Sequence, residues 1–194
     1  MVIEELFQRY DKIDSCFEWK APRPMFRALA EKQKKLVKKE FVGVEIGTQR
    51  GTNAVNILKH LEIEKIYLVD PYEFYDYDGK TPNAVDADDV QDDNFKEAKR
   101  VLKKYFDKIE FVFKKSIDAV DSIPNKLDFV YIDGNHDYQF VKSDIEEYYP
   151  KLKISGYLGG HDINMQGVFD AVSEFRQEKK LDVNIKRKDW WFIK

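Results

Sequence analysis

The amino-acid sequence specifies an open, doubly wound α/β sheet of seven mostly parallel strands, with helices on both faces and an antiparallel hairpin over residues 183–194. From residue 41 onward, short apolar runs alternate with stretches of helical period, the pattern of strands joined by crossover helices. The run LDFVYID (127–133) is apolar almost throughout rather than at every second residue, as a strand covered on both faces requires. VNIKRKDWWFIK carries two strand-like pieces about a charged turn.

Ile3, Leu6, Phe7 and Tyr10 recur at helical spacing and predict a short amphipathic helix, followed by a connector, CFEWKAPRP (16–24). Pro24 suits the first position of a second helix, where its missing N–H is no loss. That helix is expected to run to about residue 39, with Phe26, Leu29, Ala30 and Val37 inward. Residues 1–39 thus form an N-terminal helical cap, and residues 40–194 the main domain of one globular unit. A strand follows over 41–46, a helix over 52–61 and a strand over 65–69. Residues 71–93 are acidic, lack an apolar period and read as an irregular lid loop. Asn94 is placed as the cap of the next helix, whose inner face carries Phe95, Ala98, Leu102 and Tyr105. Strands over 109–113 and 127–133 flank the turn at Pro124. Tyr138, Val141, Ile145, Tyr148 and Leu152 predict a helix over 138–152, and Gly156 turns the chain into a short fifth strand, YLGGHD (157–162). Val168, Ala171, Val172 and Phe175 mark the last helix, and the hairpin turns near 188–189.

A chain of 194 residues with 11 Tyr, 14 Phe and 3 Trp has the apolar content for one real core, which excludes disorder of the whole. The net charge of −3, from 33 basic and 36 acidic residues, argues against a dedicated nucleic-acid binder. The lysine clusters KQKKLVKK and KEAKRVLKK are read as solvated sides of helices. Cys16 stands alone, so no disulfide forms within the chain. The stretch MVIEELFQRYDK has no basic-then-apolar signal pattern, and no apolar run approaches the ~20 residues of a membrane span. The expectation is a cytoplasmic protein with no membrane partner, and aromatic residues in the cap and the lid make a homodimer an expectation too.

Right-handed crossovers bring the carboxyl ends of all parallel strands to one edge, where such sheets bind ligands. Glu45, Asp70, Asp133 and Asp162 all fall there. In VEIGTQRG, Gly47 and Gly51 allow close backbone approach, and the N–H groups opening the following helix are free to receive an anion. Glu45, two residues before the first glycine, repels a pyrophosphate and suits a ligand with a cationic end. Asp70, 19 residues past Gly51, is placed to accept ribose hydroxyls. A ribose, an ammonium group and no pyrophosphate together describe S-adenosyl-L-methionine.

VEIGTQRG and LVDP resemble the first two motifs of class I S-adenosylmethionine-dependent methyltransferases. The run YIDGNHDYQFVKSDIEEYYPKLKISGYLGGHD resembles the signature of the branch that includes sugar and macrolide O-methyltransferases and cephalosporin-hydroxylase-like proteins, with Ser155–Gly156 where many relatives carry two glycines. The likeness covers residues 38 to 194 and implies a Rossmann-like fold. Carried over by position, it implies that Glu45 and Gly47 lie beside the methionine part of the cofactor, that Asp70 holds its ribose hydroxyls, and that Thr48, Gly51 and Pro71 are cofactor-binding too. It further implies that Ser116, Ile117 and Asp118 line the adenine and that Asp133 lies near the transferred methyl.

Asp133, His136, His161 and Asp162 gather carboxylates and imidazoles at neighbouring strand ends, a set able to bind a divalent ion. In related O-methyltransferases the positions of Asp133 and of the pair 161–162 supply oxygen ligands to magnesium. Here the pair is His161–Asp162, and imidazole is a poor magnesium ligand, so a softer metal, a His161 pointing elsewhere or no metal are all open. His136 is the candidate general base, with Asp133 beside it. His60 reads as a surface residue at a helix end, and Asp144 as a residue facing away from the apolar stripe to tie its helix to a neighbour. Tyr72, Phe74, Tyr75 and Tyr77 of the lid are placed to stack on a sugar or ring, and the acidity of that stretch disfavours anionic partners. The expected activity is O-methylation of a small-molecule or glycan hydroxyl. A catalytically silent cofactor-binding accessory protein and a nicotinamide-dependent oxidoreductase are the alternatives, the latter opposed by the missing G-x-G-x-x-G.

Overall fold

Strand β1 (Phe41–Ile46) shows why the chain folds in three layers. Its side chains alternate between two cores, as the period of two demands. Val44 and Ile46 enter one apolar cluster, while Phe41 enters the other. The computed structural model of the chain describes residues 21–37, 40–73 and 84–194. The further strands are β2 (Ile63–Val69), β3 (Ile109–Val112), β4 (Leu127–Ile132), β5 (Leu152–Gly160), β6 (Asn184–Lys186) and β7 (Asp189–Ile193). They form one seven-stranded sheet in the order β3-β2-β1-β4-β5-β7-β6. The first five are parallel, and β7 runs antiparallel to β5 and β6. β4 is buried at every position, Asp128 included, as its nearly all-apolar run requires.

The helices are α1 (Pro24–Gln33), α2 (Thr52–His60), α3 (Ala84–Leu102), the single turn α4 (Ser116–Ala119), α5 (Tyr138–Tyr148) and α6 (Gln166–Lys179). Met25, Phe26 and Leu29 of α1 share one core with residues of α2 and α3. Ala119, Val141, Ile145, Val168 and Phe175, from α4 to α6, build the core on the opposite face. The strand order reverses between β1 and β4, so a crevice opens above their carboxyl ends. Among the described residues no helix is long and apolar enough to cross a membrane.

The fold class stands as the sequence specifies, but several boundaries do not. The helix begun by Pro24 stops at Gln33, and Val37, expected inward, is fully exposed. Gln33 ends it by bonding both ways with the Glu62 backbone, donating at 2.8 Å and accepting at 2.9 Å, which fastens α1 to the start of β2. Asn94 caps nothing: α3 begins at Ala84, and Asn94 is buried in its middle, accepting from Arg50 Nε at 2.8 Å. Ala98 and Leu102 face the core as expected. The helix over 138–152 ends at Tyr148, and Leu152 instead starts a nine-residue β5. A bulge hides that strand from a periodicity reading, since Leu127 pairs with Leu152 and Phe129 next pairs with Tyr157. The hairpin turns at Arg187, which has φ 58°, one residue before the expected place. The expected helix over 3–10, the connector up to residue 20 and Lys38–Lys39 lie outside the described residues. So do residues 74–83 of the expected lid, with Phe74, Tyr75 and Tyr77; residues 84–93 are helical, not irregular.

Candidate active site

The turn after β1 is threaded between neighbouring backbones. Gly47 has φ 86° and donates to Val69 O at 2.9 Å, and a Cβ on it would stand 2.3 Å from Asp133 O. No side chain fits there. Gly51 has φ 73°, and a Cβ on it would press on Leu102 Cδ1 at 2.9 Å, so its bareness lets α2 and α3 meet. Above this turn lies a cleft of about 1160 Å³. Gly47, Thr48, Asp70, Pro71, Ser116, Ile117, Asp133, His136 and His161 line it. Of the expected site residues, Glu45, Gly51, Asp118 and Asp162 do not reach its wall.

Asp70 binds the turn itself. Its Oδ2 accepts from Thr48 N at 3.0 Å and Gln49 N at 2.8 Å, and its Oδ1 from Tyr72 N at 2.8 Å. About one of a carboxylate's four acceptor positions is left for a ligand. Tyr72 does not stack in the cleft: its ring lies 5.0 Å from Phe95 and 6.1 Å from Phe113.

Glu45 is completely buried behind the cleft wall. Asn53 Nδ2 donates to its Oε1 at 2.7 Å, and its Oε2 has no partner. Burial pushes its carboxyl up to about 8, against the pull of the Asn53 hydrogen bond. Thr48 Oγ1 and Asn53 Oδ1 are likewise buried without partners. Thr48 and Asn53 line the cleft, and their unpartnered oxygens fit a ligand that brings donors, such as an ammonium group and hydroxyls. Acidic residues around the turn also favour a cationic ligand over a pyrophosphate.

On the far side, Ser116 O accepts from the Tyr148 hydroxyl at 2.8 Å. Burial pushes the neighbouring Asp144 carboxyl up to about 7, against the opposing effect of the Ser116 side chain. Asp144 does lie against a neighbour of α5, but from a buried position beside the apolar stripe rather than facing away from it.

The acids and imidazoles at the ends of β4 and β5 come together. His136 Nε2 is 3.1 Å from Asp162 Oδ2 and 4.0 Å from Asp133 Oδ1. The closer contact is not aligned as a hydrogen bond, and it is an ion pair only when the imidazole is protonated. Asp162 raises the His136 imidazole above its ordinary range, against the opposing effect of burial, and Asp133 adds to the rise. Burial raises the Asp162 carboxyl, yet His136 and His161 hold it well below the usual carboxylate range. His161 Nδ1 is 3.1 Å from Asp162 Oδ2 and 3.9 Å from Asp133 Oδ1. Among the described residues, the group whose ligand atoms converge within 4.8 Å is Asp133, His136 and Asp162, without His161.

Sequence reasoning missed Arg23. It sits in the APRP connector, where a lone arginine has no informative spacing. Its guanidinium donates to Asp133 Oδ2 at 2.8 Å and to the Tyr131 hydroxyl at 2.7 Å. Tyr131 in turn donates to Asp189 Oδ1 at 2.9 Å, and Asp189 Oδ2 accepts from Met25 N at 3.2 Å. The start of α1 is thereby latched to the acid at the end of β4.

Residues 44–163 match the model of a protein family described as a methyltransferase domain. A curated relative, uncharacterized protein R132 of Acanthamoeba polyphaga mimivirus, is 25% identical over 139 residues. The match covers 72% of this chain and 55% of R132, so the chain spans about half the length of that relative. Among solved structures, the O-methyltransferase NovP is similar with a TM-score of 0.64 at 18% identity, over 88% of this chain and 79% of NovP. The methyltransferase PaMTH1 of Podospora anserina, in its SAH-bound form, has a TM-score of 0.62 at 10% identity, over 98% and 86% of the two chains. At these identities the likeness to both structures is one of fold.

Proposed function

This chain belongs to the methyltransferase-domain family, and we propose that it is an S-adenosylmethionine-dependent O-methyltransferase acting on a hydroxyl of a small molecule, sugar or glycan. The observation that carries this reading is the place of His136. Its Nε2 stands 3.1 Å from Asp162 Oδ2 in the same cleft as the Gly47 turn. A hydroxyl acceptor must lose a proton as it is methylated, and an imidazole between two carboxylates can take that proton and hold it.

When bound, the cofactor supplies a methyl group already activated by its sulfonium. The chain's own work is alignment, which contributes as much as ~7–11 kcal/mol where two reactants are held well. The Gly47 turn admits the cofactor's chain close to the backbone, and Asn53, fixed by Glu45, offers it a polar partner. The remaining acceptor position of Asp70 faces the ribose, and Ser116 and Ile117 form the adenine side. Asp133, held by Arg23, and Asp162 orient His136 toward the acceptor. The O-methyltransferase neighbour NovP agrees with this chemistry, although fold alone does not choose an acceptor.

The test is methyl transfer from labelled cofactor to a panel of phenols, catechols and sugars. Transfer is expected for the wild type and its loss for His136→Ala, with binding of S-adenosylhomocysteine intact in both. Binding with no transfer to any acceptor supports the accessory reading instead. A melting shift with NAD and none with S-adenosylhomocysteine contradicts both.

A further inference from the structure

Asp133 and Asp162 end neighbouring strands, and one ligand atom from each lies within 4.8 Å of His136 Nε2. Two carboxylates and an imidazole arranged so are a donor set for a divalent ion. The chain supplies its own cations at the same place. Arg23 Nη1 lies 2.8 Å from Asp133 Oδ2. Lys188 Nζ lies 3.6 Å from Asp162 Oδ1. The two negative charges are therefore matched by two positive ones on protein side chains. An ion entering between Asp133, His136 and Asp162 would have a guanidinium and an ammonium as near neighbours, and the repulsion is strong where water is partly excluded.

Arg23 is not placed to swing away. The nitrogen that meets Asp133 also donates to the Tyr131 hydroxyl at 2.7 Å, and the guanidinium carbon lies 5.5 Å from the centre of that ring. Tyr131 is fully buried, and the next residues of the chain, Met25 and Phe26, are buried in the core. Releasing the guanidinium would break its bond to Asp133 and leave the buried Tyr131 hydroxyl without that donor.

We infer that Arg23, assisted by Lys188, is the resident cation of this site: it does the charge-balancing and orienting work that a divalent ion does between two strand-end carboxylates, and with these two cations in place the site does not fit a metal. Arg23 is then a positioning residue for Asp133. The inference concerns the site assigned above to methyl transfer, but its test needs no turnover.

Magnesium and manganese ions are titrated calorimetrically into the wild type, Arg23→Met and Lys188→Met, and the melting shift with S-adenosylhomocysteine is recorded on the same samples. The wild type is expected to show no saturable binding in the micromolar range. Arg23→Met is expected to bind manganese at least about tenfold more tightly than the wild type, since a nearby like charge is gone. Adding Asp133→Asn should abolish that gain. Arg23→Lys, which keeps the charge, should behave as the wild type does. Micromolar, saturable binding to the wild type that Asp133→Asn removes would overturn the inference. So would a folded Arg23→Met with no gain. If Arg23→Met does not fold, Lys188→Met on its half-exposed side chain carries the comparison, and absence of any gain there counts against the inference equally. A missing response to S-adenosylhomocysteine would count against the cofactor reading alone, because the metal titrations are read independently.

Discussion

His136, on the loop after β4, and Asp162, just beyond β5, meet at 3.1 Å across the edge of the sheet. A carboxylate at that distance makes the imidazole a stronger base and sets the pH at which it is free to act. The Asp162 contact raises His136 above its usual value. A general base works only when deprotonated, so transfer should fall as pH drops through that raised value. In Asp162→Asn the acid limb of kcat/KM should move down toward the unperturbed imidazole value of ~6.5. In His136→Ala the rate should fall by ~10²–10⁴-fold. A limb that stays in place in Asp162→Asn would assign the base elsewhere.

Glu45 makes stability depend on pH. Unfolded, its carboxyl releases a proton near ~4.3, whereas burial keeps the folded group protonated up to about 8. Between those values the native state binds the extra proton, so this residue's share of stability falls as pH rises across the window and levels off above it. Glu45→Gln removes the titration. It should raise Tm relative to the wild type at the alkaline end of the window and change it little at the acidic end. An equal Tm change at both ends would show that Glu45 does not titrate in this range.

Gly47→Ala should be severe for so small a change. The new Cβ would meet the Asp133 carbonyl oxygen at 2.3 Å, at φ 86°. Strain at one such backbone position is on the order of 1–3 kcal/mol before the clash is counted. Chemical denaturation should show a loss of at least that size, with binding of S-adenosylhomocysteine lost as well. A variant as stable as the wild type would mean that the turn can relax.

Asp144 is buried beside Ser116, on the side of the cleft proposed for the adenine. Asp144→Asn keeps a hydrogen-bonding side chain and should retain cofactor affinity. Asp144→Ala removes the polar neighbour of Ser116 and should lose ~1–3 kcal/mol of stability, with weaker binding of S-adenosylhomocysteine. Equal affinity in the two variants would make Asp144 a packing residue only.

The layers were legible because burial on two faces leaves its mark locally. β4 is apolar at nearly every position, and the inner faces of α2, α5 and α6 repeat at helical spacing. The glycine turn was legible for the same reason, since Gly47 and Gly51 stand where other residues clash. What escaped depends on partners distant in the chain. The first turns of α3 carry an acidic run without apolar period, and β5 is broken by a bulge. Arg23 reads as linker until the sheet brings Tyr131 and Asp133 to it. That His136 completes the converging trio, and that Asp162 has φ 51°, are features no residue pattern announces.

What fills the cleft above the Gly47 turn decides what this chain does. Calorimetric titration of S-adenosylmethionine and S-adenosylhomocysteine into the wild type and Asp70→Ala measures it. Saturable binding by the wild type is expected, weakened at least tenfold, or about 1.4 kcal/mol, when the carboxylate that shapes the turn is gone. No heat with either nucleoside, or the same affinity without Asp70, would contradict the cofactor reading.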